Sequence, residues 1–189
     1  MQQVDPKETV IILKYASEAL QYDGDFVEFG CYKGDTSVKL AEIIKGTDKH
    51  LWLYDSFAGL PAKTREDQST IGSQFQAGEL LATKRQVADR FRHANLPRPI
   101  IKKAFFNELN PITDLPECIA FAFLDGDLYD SLKTSLHFVW PKLSPGATII
   151  THDYNNLELP GATQAVDEFL RTHPTQHFTT QHTLALITK

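Results

Sequence analysis

Six consecutive apolar residues, Ile119 to Leu124, run straight into Asp125-Gly126-Asp127. The run is too short for a typical helix and too apolar for a half-exposed strand, so it reads as a strand covered on both faces. That is the central position of a parallel sheet sandwiched between helices. Around it, short β-rich runs alternate with longer amphipathic segments, the pattern of α/β architecture. The chain has 189 residues, 42% of them hydrophobic, enough for one core, and we expect a single domain over 1–189.

Asp5-Pro6 reads as the cap and first position of an N-terminal helix over about 5–21, with Val10, Ile11, Leu13 and Leu20 as its apolar residues. Strands are expected at Phe26–Phe29, His50–Tyr54, Pro99–Lys102, Ile119–Leu124 and Ala147–Thr151, and helices at Thr36–Ile44, Leu80–Asn95, Tyr129–Val139 and Ala162–Arg171. Gln176–Thr180 and Thr183–Ile187 read as a closing antiparallel hairpin at one edge of the sheet. Phe57 to Phe75, rich in Gly, Ser, Thr and charge, is a candidate lid with Gly59 and Gly72 as hinges.

Lys and Arg number 19 against 24 Asp and Glu, a net charge of -5, which argues against binding nucleic acid through its phosphates. The longest strongly apolar run, Cys118 to Leu124, cannot cross a bilayer, and the first six residues carry neither a basic region nor an apolar stretch. We read the chain as cytoplasmic and without a membrane partner. Cys31 and Cys118 lack a paired motif and read as reduced, partly buried thiols.

In open parallel sheets the ligand lies beyond the carboxyl ends of the strands. Four of those ends carry carboxylates here: Glu28 with Gly30 and Gly34, Asp55-Ser56-Phe57, Asp125-Gly126-Asp127, and His152-Asp153-Tyr154. Gly30 and Gly34 suit close approach of a ligand to the backbone. Asp55, 25 residues after Gly30, stands where an acid accepts hydrogen bonds from both ribose hydroxyls of a nucleoside. Tyr32 occupies the place of the second glycine of a dinucleotide fingerprint, so a cofactor without phosphate fits better. Asp125 and Asp153, one helix and one strand apart, can meet in one crevice, where either one keeps a proton or a cation sits between them. His152 is a candidate ligand or base, and Tyr129 and Tyr154 are candidate substrate contacts. No Cys/His zinc pattern, hydrolase elbow or P-loop is present.

These residues resemble a known family. Val27 to Gly34, the segment Asp55-Ser56-Phe57-Ala58-Gly59-Leu60-Pro61, Leu124 to Ser131, and Pro141 to Gly146 with His152-Asp153-Tyr154 are similar to the macrocin O-methyltransferase family of S-adenosylmethionine-dependent enzymes. The likeness extends from about Asp25 to Leu170. It implies a Rossmann-like class I methyltransferase domain with a mostly parallel seven-stranded sheet. It also implies a Mg2+ ion and methylation of a hydroxyl, typically on a sugar of a secondary metabolite. Two departures stand out. The family usually has two aspartates before the tyrosine, whereas His152-Asp153 offers an imidazole in place of one of them, which opens the choice of divalent ion. Leu128 takes the position where related catechol-type enzymes carry a lysine base. Longer relatives also place material over the substrate at the N-terminus, so the acceptor here is expected to be larger or more exposed.

On this reading the methionine end of S-adenosylmethionine lies along Glu28 to Gly34, with Phe29, Cys31 and Thr36 beside it. Asp55 holds the ribose, and Ser56, Phe57 and Phe105 meet the adenine. The sulfonium faces Asp125. Asp125, His152 and Asp153 hold the ion, and Asp125 or His152 takes the hydroxyl proton. The partner is a small-molecule hydroxyl acceptor, and the N-terminal helix is a candidate surface for a homodimer. A non-catalytic S-adenosylmethionine- or nucleoside-binding module is the second reading, and the paired Asp125 and Asp153 weigh against it. An NAD-linked oxidoreductase is the third, disfavoured by Tyr32.

Overall fold

The computed structural model describes residues 4–71 and 74–189, which leaves the candidate hinge Gly72 outside the described residues. Among the described residues, five α-helices and seven strands follow in the order α1 Pro6–Glu18, β1 Asp25–Phe29, α2 Asp35–Ile43, β2 Leu51–Asp55, α3 Lys84–His93, β3 Ile100–Lys103, β4 Ile119–Leu124, α4 Tyr129–Val139, β5 Leu143–Thr151, α5 Pro160–Thr172, β6 His177–Gln181 and β7 Leu184–Thr188. The sheet order is β3-β2-β1-β4-β5-β7-β6. Strands β1 to β5 are parallel, and β7 runs antiparallel to both β5 and β6.

β4 lies between β1 and β5 with all six residues buried, as its composition requires. Its side chains alternate between two cores: Ala122 and Leu124 pack with Leu132, Leu136, Ala165 and Phe169 of α4 and α5. Phe121 and Phe123 pack with Ile12, Leu40, Val87 and Phe91 of α1, α2 and α3. The same period of two sends Val27 and Phe29 of β1 to the α4/α5 side and Phe26 to the other. Glu28 therefore shares the face of Phe26 and ends beneath α2, where Ser37 Oγ donates to its carboxyl group.

Three local expectations need correction. Asp5 caps α1 by accepting from Lys7 N–H at 2.7 Å, but the helix turns Ile12, Ala16, Glu8 and Thr9 inward and leaves Val10 68% exposed. Glu8 lies on the same inward face as Ile12 and Ala16, and its carboxylate has partners inside the molecule, as described below. β5 begins at Leu143 rather than Ala147. Its register on β4 jumps from Ile119↔Leu143 to Phe121↔Thr148, so Pro145-Gly146 forms a bulge inside the strand rather than a turn before it. α3 starts at Lys84, where Thr83 and Gln86 form a reciprocal capping box, and not at Leu80.

The segment after β2 closes on itself. Leu60 N–H donates to Glu79 O at 2.8 Å and Gly78 N–H to Leu60 O at 2.9 Å. A Cβ at Gly59 would lie 2.5 Å from the Gly78 carbonyl carbon, so this candidate hinge is where two strands of the loop cross.

Candidate active site

The carboxyl ends of β1, β2 and β4 border a cleft lined by Gly30, Tyr32, Asp55, Ser56, Phe105 and Asp125, among others. Gly30 has a φ of +86°, and a Cβ there would sit 1.9 Å from the backbone oxygen of Asp125. The neighbouring strand end by itself requires a glycine here, and Gly30 also lines the cleft. Gly34, at φ +82°, is the left-handed residue from which α2 starts.

Asp55 holds the first turn in place. Its Oδ2 accepts from Tyr32 N–H at 2.8 Å and its Oδ1 from Phe57 N–H at 2.7 Å. Burial raises the pKa of this carboxyl, and the two backbone N–H donors oppose that rise. The carboxyl group also lines the cleft. A narrow recess beside it is lined by Glu28, Cys31, Thr36 and Asp125. Burial lifts the pKa of Glu28 to about 8 and that of the Cys31 thiol well above its usual value. Cys31 and Cys118 are both free thiols, as expected.

Not every residue singled out from sequence reaches these cavities. Phe29 stacks on Tyr54 with ring centroids 4.2 Å apart, and Phe57, at φ +48°, turns its ring into the α1/α2/α3 core. Both serve the scaffold. Tyr129 places its hydroxyl 2.6 Å from Glu168 and 2.7 Å from Lys133, and Tyr154 donates to Asp167 at 2.9 Å. Both hydroxyls thus engage groups on α4 and α5, and neither tyrosine lines the two cavities.

Beyond the cleft, Asp125, His152 and Asp153 converge, with one donor atom from each lying within 4.8 Å of the others. His152 Nδ1 is 3.0 Å from Asp125 Oδ1 and 3.1 Å from Asp153 Oδ2. On the far side of the ring, His152 Nε2 is 3.2 Å from Glu8 Oε2. Glu8 Oε1 in turn accepts from Thr183 N–H at 2.9 Å and Thr183 Oγ1 at 2.6 Å. Asn156 Nδ2 holds the other oxygen of Asp153 at 2.8 Å. Asp127 and Asp153 occupy positive φ, +57° and +62°, a conformation that costs energy at non-glycine residues and gathers at functional sites.

The electrostatics follow from the packing. Burial pulls the His152 pKa down, but the charge of Asp125 and the bonds to Asp125, Asp153 and Glu8 outweigh it and raise the pKa well above the ordinary value. Burial lifts Asp125 despite its histidine partner, and lifts Asp127 further with help from the charges of Asp125 and Asp153. Burial would raise Glu8 as well, but its bonds to His152 and Thr183 hold it near 2. Glu8 was invisible in the sequence because it lies 144 residues from its histidine partner, in a helix where an acid near the start is ordinary. Asp67, 0% exposed in the middle of the candidate lid, was missed for the same reason.

A family model described as macrocin-O-methyltransferase matches residues 13–181. The chain belongs to that family. Its relatives include a demethyldecarbamoylnovobiocin O-methyltransferase of Streptomyces niveus, 27% identical over 162 residues that cover 77% of this chain and 58% of the relative. A tetracenomycin-type 4'-O-methyltransferase of Streptomyces olivaceus, which acts on a dimethoxy-rhamnosyl compound by its name, is 29% identical over 154 residues, covering 75% and 58%. The chain thus spans about three-fifths of the length of these curated relatives, 58% in both cases. Among solved structures, the O-methyltransferase NovP superposes with a TM-score of 0.84 at 22% identity, covering all of this chain and 81% of NovP. The calicheamicin methyltransferase CalS11 gives 0.79 at 18%, covering 99% and 80%. Both share the fold of this family member, an α/β domain with a seven-stranded, mostly parallel sheet.

Proposed function

We propose that this chain transfers a methyl group from S-adenosylmethionine to a hydroxyl oxygen of a small molecule, with a sugar of a secondary metabolite as the leading acceptor class. Its relatives support the reaction, since they are named as O-methyltransferases of such compounds. The observation that carries the reading is that Asp125 lines the cleft bordered by Asp55 and also belongs to the Asp125/His152/Asp153 cluster.

A divalent ion fits that cluster. Asp125, His152 and Asp153 would hold it, since each offers one ligand atom and these atoms lie within 4.8 Å of one another. A single N–H cannot serve both carboxylates fully, whereas a cation with two charges satisfies them together. Glu8 would keep a proton on Nε2 while an ion displaced the proton on Nδ1, the arrangement that second-shell carboxylates impose on metal-binding histidines. One imidazole and two carboxylates favour Mn2+ or a neighbouring transition ion over Mg2+, which prefers oxygen alone. When bound, such an ion lowers the pKa of a coordinated hydroxyl.

The remaining work falls to the chain itself. Asp55 accepts the ribose hydroxyls, and the carboxyl group of Asp125 at the cleft wall faces the sulfonium. Asp125 accepts the acceptor's proton, since burial has raised its basicity and it borders both the cofactor cleft and the cluster. His152 is held at both ring nitrogens and orients the cluster.

Isothermal titration with S-adenosylhomocysteine and MnCl2, followed by turnover on glycosylated acceptors with S-adenosylhomocysteine as the product measured, tests the reading. Binding of both ligands with transfer to a hydroxyl is expected. Binding of the nucleoside without transfer, in the presence or absence of any divalent ion, would leave a non-catalytic binding module in its place. His152→Ala should lower metal affinity along with rate; loss of rate alone would make His152 the base.

A further inference from the structure

The segment between β2 and α3 carries a carboxylate that the proposed chemistry does not use. Asp67 is completely buried. Its Oδ1 accepts from Tyr129 N–H at 2.7 Å, and its Oδ2 accepts from Thr64 N–H at 2.8 Å and Thr64 Oγ1 at 2.9 Å. These partners are neutral donors, so the charge is held by hydrogen bonds and by the N-terminal end of α4, whose first residue is Tyr129. The opposite helix is cut away to admit it. Gly161 of α5 faces Asp67 so closely that a Cβ there would lie 2.0 Å from Oδ1.

The placement links the two walls of the cleft. One wall is Gly59-Leu60-Pro61, at the start of the segment; the other is Asp125-Gly126-Asp127 with Ser131, at the turn into α4. Asp67 follows the first wall by six residues and grips the backbone two residues beyond Asp127. Farther along, Ser69 Oγ donates to Leu157 O at 2.8 Å, which fastens the same segment to the loop that follows Asp153. The strap thus joins the ends of β2, β4 and β5, the three turns that supply Asp55, Asp125 and the His152-Asp153 pair.

We infer that Asp67 is a positioning residue that sets the width of the cofactor cleft by tying the Gly59–Pro61 wall to the Asp125–Asp127 wall. It does not line the cofactor cleft itself, and it acts through Tyr129 N–H and the turn that precedes it. Gly161 is its necessary complement, because any side chain there would evict Oδ1. The inference rests on the cofactor reading above.

The test is equilibrium binding of S-adenosylhomocysteine to the whole chain by calorimetry, with urea midpoints recorded for every variant. Losing the linkage removes one to two hydrogen bonds' worth of preorganisation, so Asp67→Ala and Gly161→Ala should each weaken binding roughly tenfold. Asp67→Asn, which keeps an acceptor for Tyr129 N–H, should recover part of the loss, and Thr64→Ala should lose less than Asp67→Ala. In the double variant, Gly161→Ala should cost little, since the oxygen it displaces is gone. In turnover the effect should appear in KM for S-adenosylmethionine more than in kcat. Folded variants that bind as tightly as wild type would overturn the role of Asp67. Should Asp67→Ala and Gly161→Ala fail to fold, wild-type affinity in folded Asp67→Asn and Thr64→Ala would overturn it equally. A wild-type chain that does not bind S-adenosylhomocysteine would instead overturn the cofactor reading itself.

Discussion

Glu28 offers a measurement that isolates one buried group. Its carboxyl is 1% exposed, and burial lifts its pKa from 4.5 to about 8, against the opposing bond from Ser37. Between those values the folded chain keeps a proton that the unfolded chain has released. The stabilisation is therefore complete below about pH 4.5 and is lost as pH rises through 8, at up to about 1.4 kcal/mol per pH unit. Glu28→Gln removes the titration while keeping a neutral planar group with an oxygen for Ser37. The variant should gain about 3 kcal/mol relative to wild type between pH 5 and pH 8. That corresponds to roughly 6–12 °C in relative Tm for a domain of this size. Urea denaturation of both proteins across that range, at fixed ionic strength and without ligands, gives the difference directly, since other groups titrate in both and largely cancel. A stability difference that stays constant with pH would refute the assignment of a protonated carboxyl beneath α2.

Other consequences are equally open to measurement. Gly30→Ala should destabilise the fold by at least about 3 kcal/mol in urea, because its Cβ would sit 1.9 Å from Asp125 O at a positive φ. A cost below about 1 kcal/mol would show that the ends of β1 and β4 can spread. Asp55→Ala should weaken S-adenosylhomocysteine binding about 100-fold, through loss of the ribose acceptor and of the bonds from Tyr32 and Phe57 N–H. Unchanged calorimetric affinity would remove Asp55 from the cofactor site. Wild type should bind Mn2+ more tightly than Mg2+, His152→Asp should narrow that preference, and Glu8→Gln should weaken Mn2+ binding by about 10- to 100-fold. Equal wild-type affinity for both ions would refute the nitrogen-ligand argument.

Local pattern settled much of this molecule. The apolar run Ile119–Leu124 could be stable only where both faces are covered, and it is β4, between β1 and β5. The acids at the ends of β2, β4 and β5 were legible because a parallel α/β sheet gathers its strand ends on one side, and Asp125, His152 and Asp153 do meet. Where a signal depended on residues far apart, the chain carried no local mark of it. Glu8 reaches His152 across 144 residues and Asp67 reaches Tyr129 across 62. In sequence, the first is an ordinary helix acid and the second an ordinary loop acid. Val10 looked like core and lies exposed, because the inward face of α1 carries Ile12 and Ala16 together with Glu8, whose partners lie in distant segments. Hydrophobic periodicity is written into neighbouring residues, so it determined which segments became strands and helices. The partners of buried charges come from distant segments, and only the assembled structure decided how those charges are satisfied.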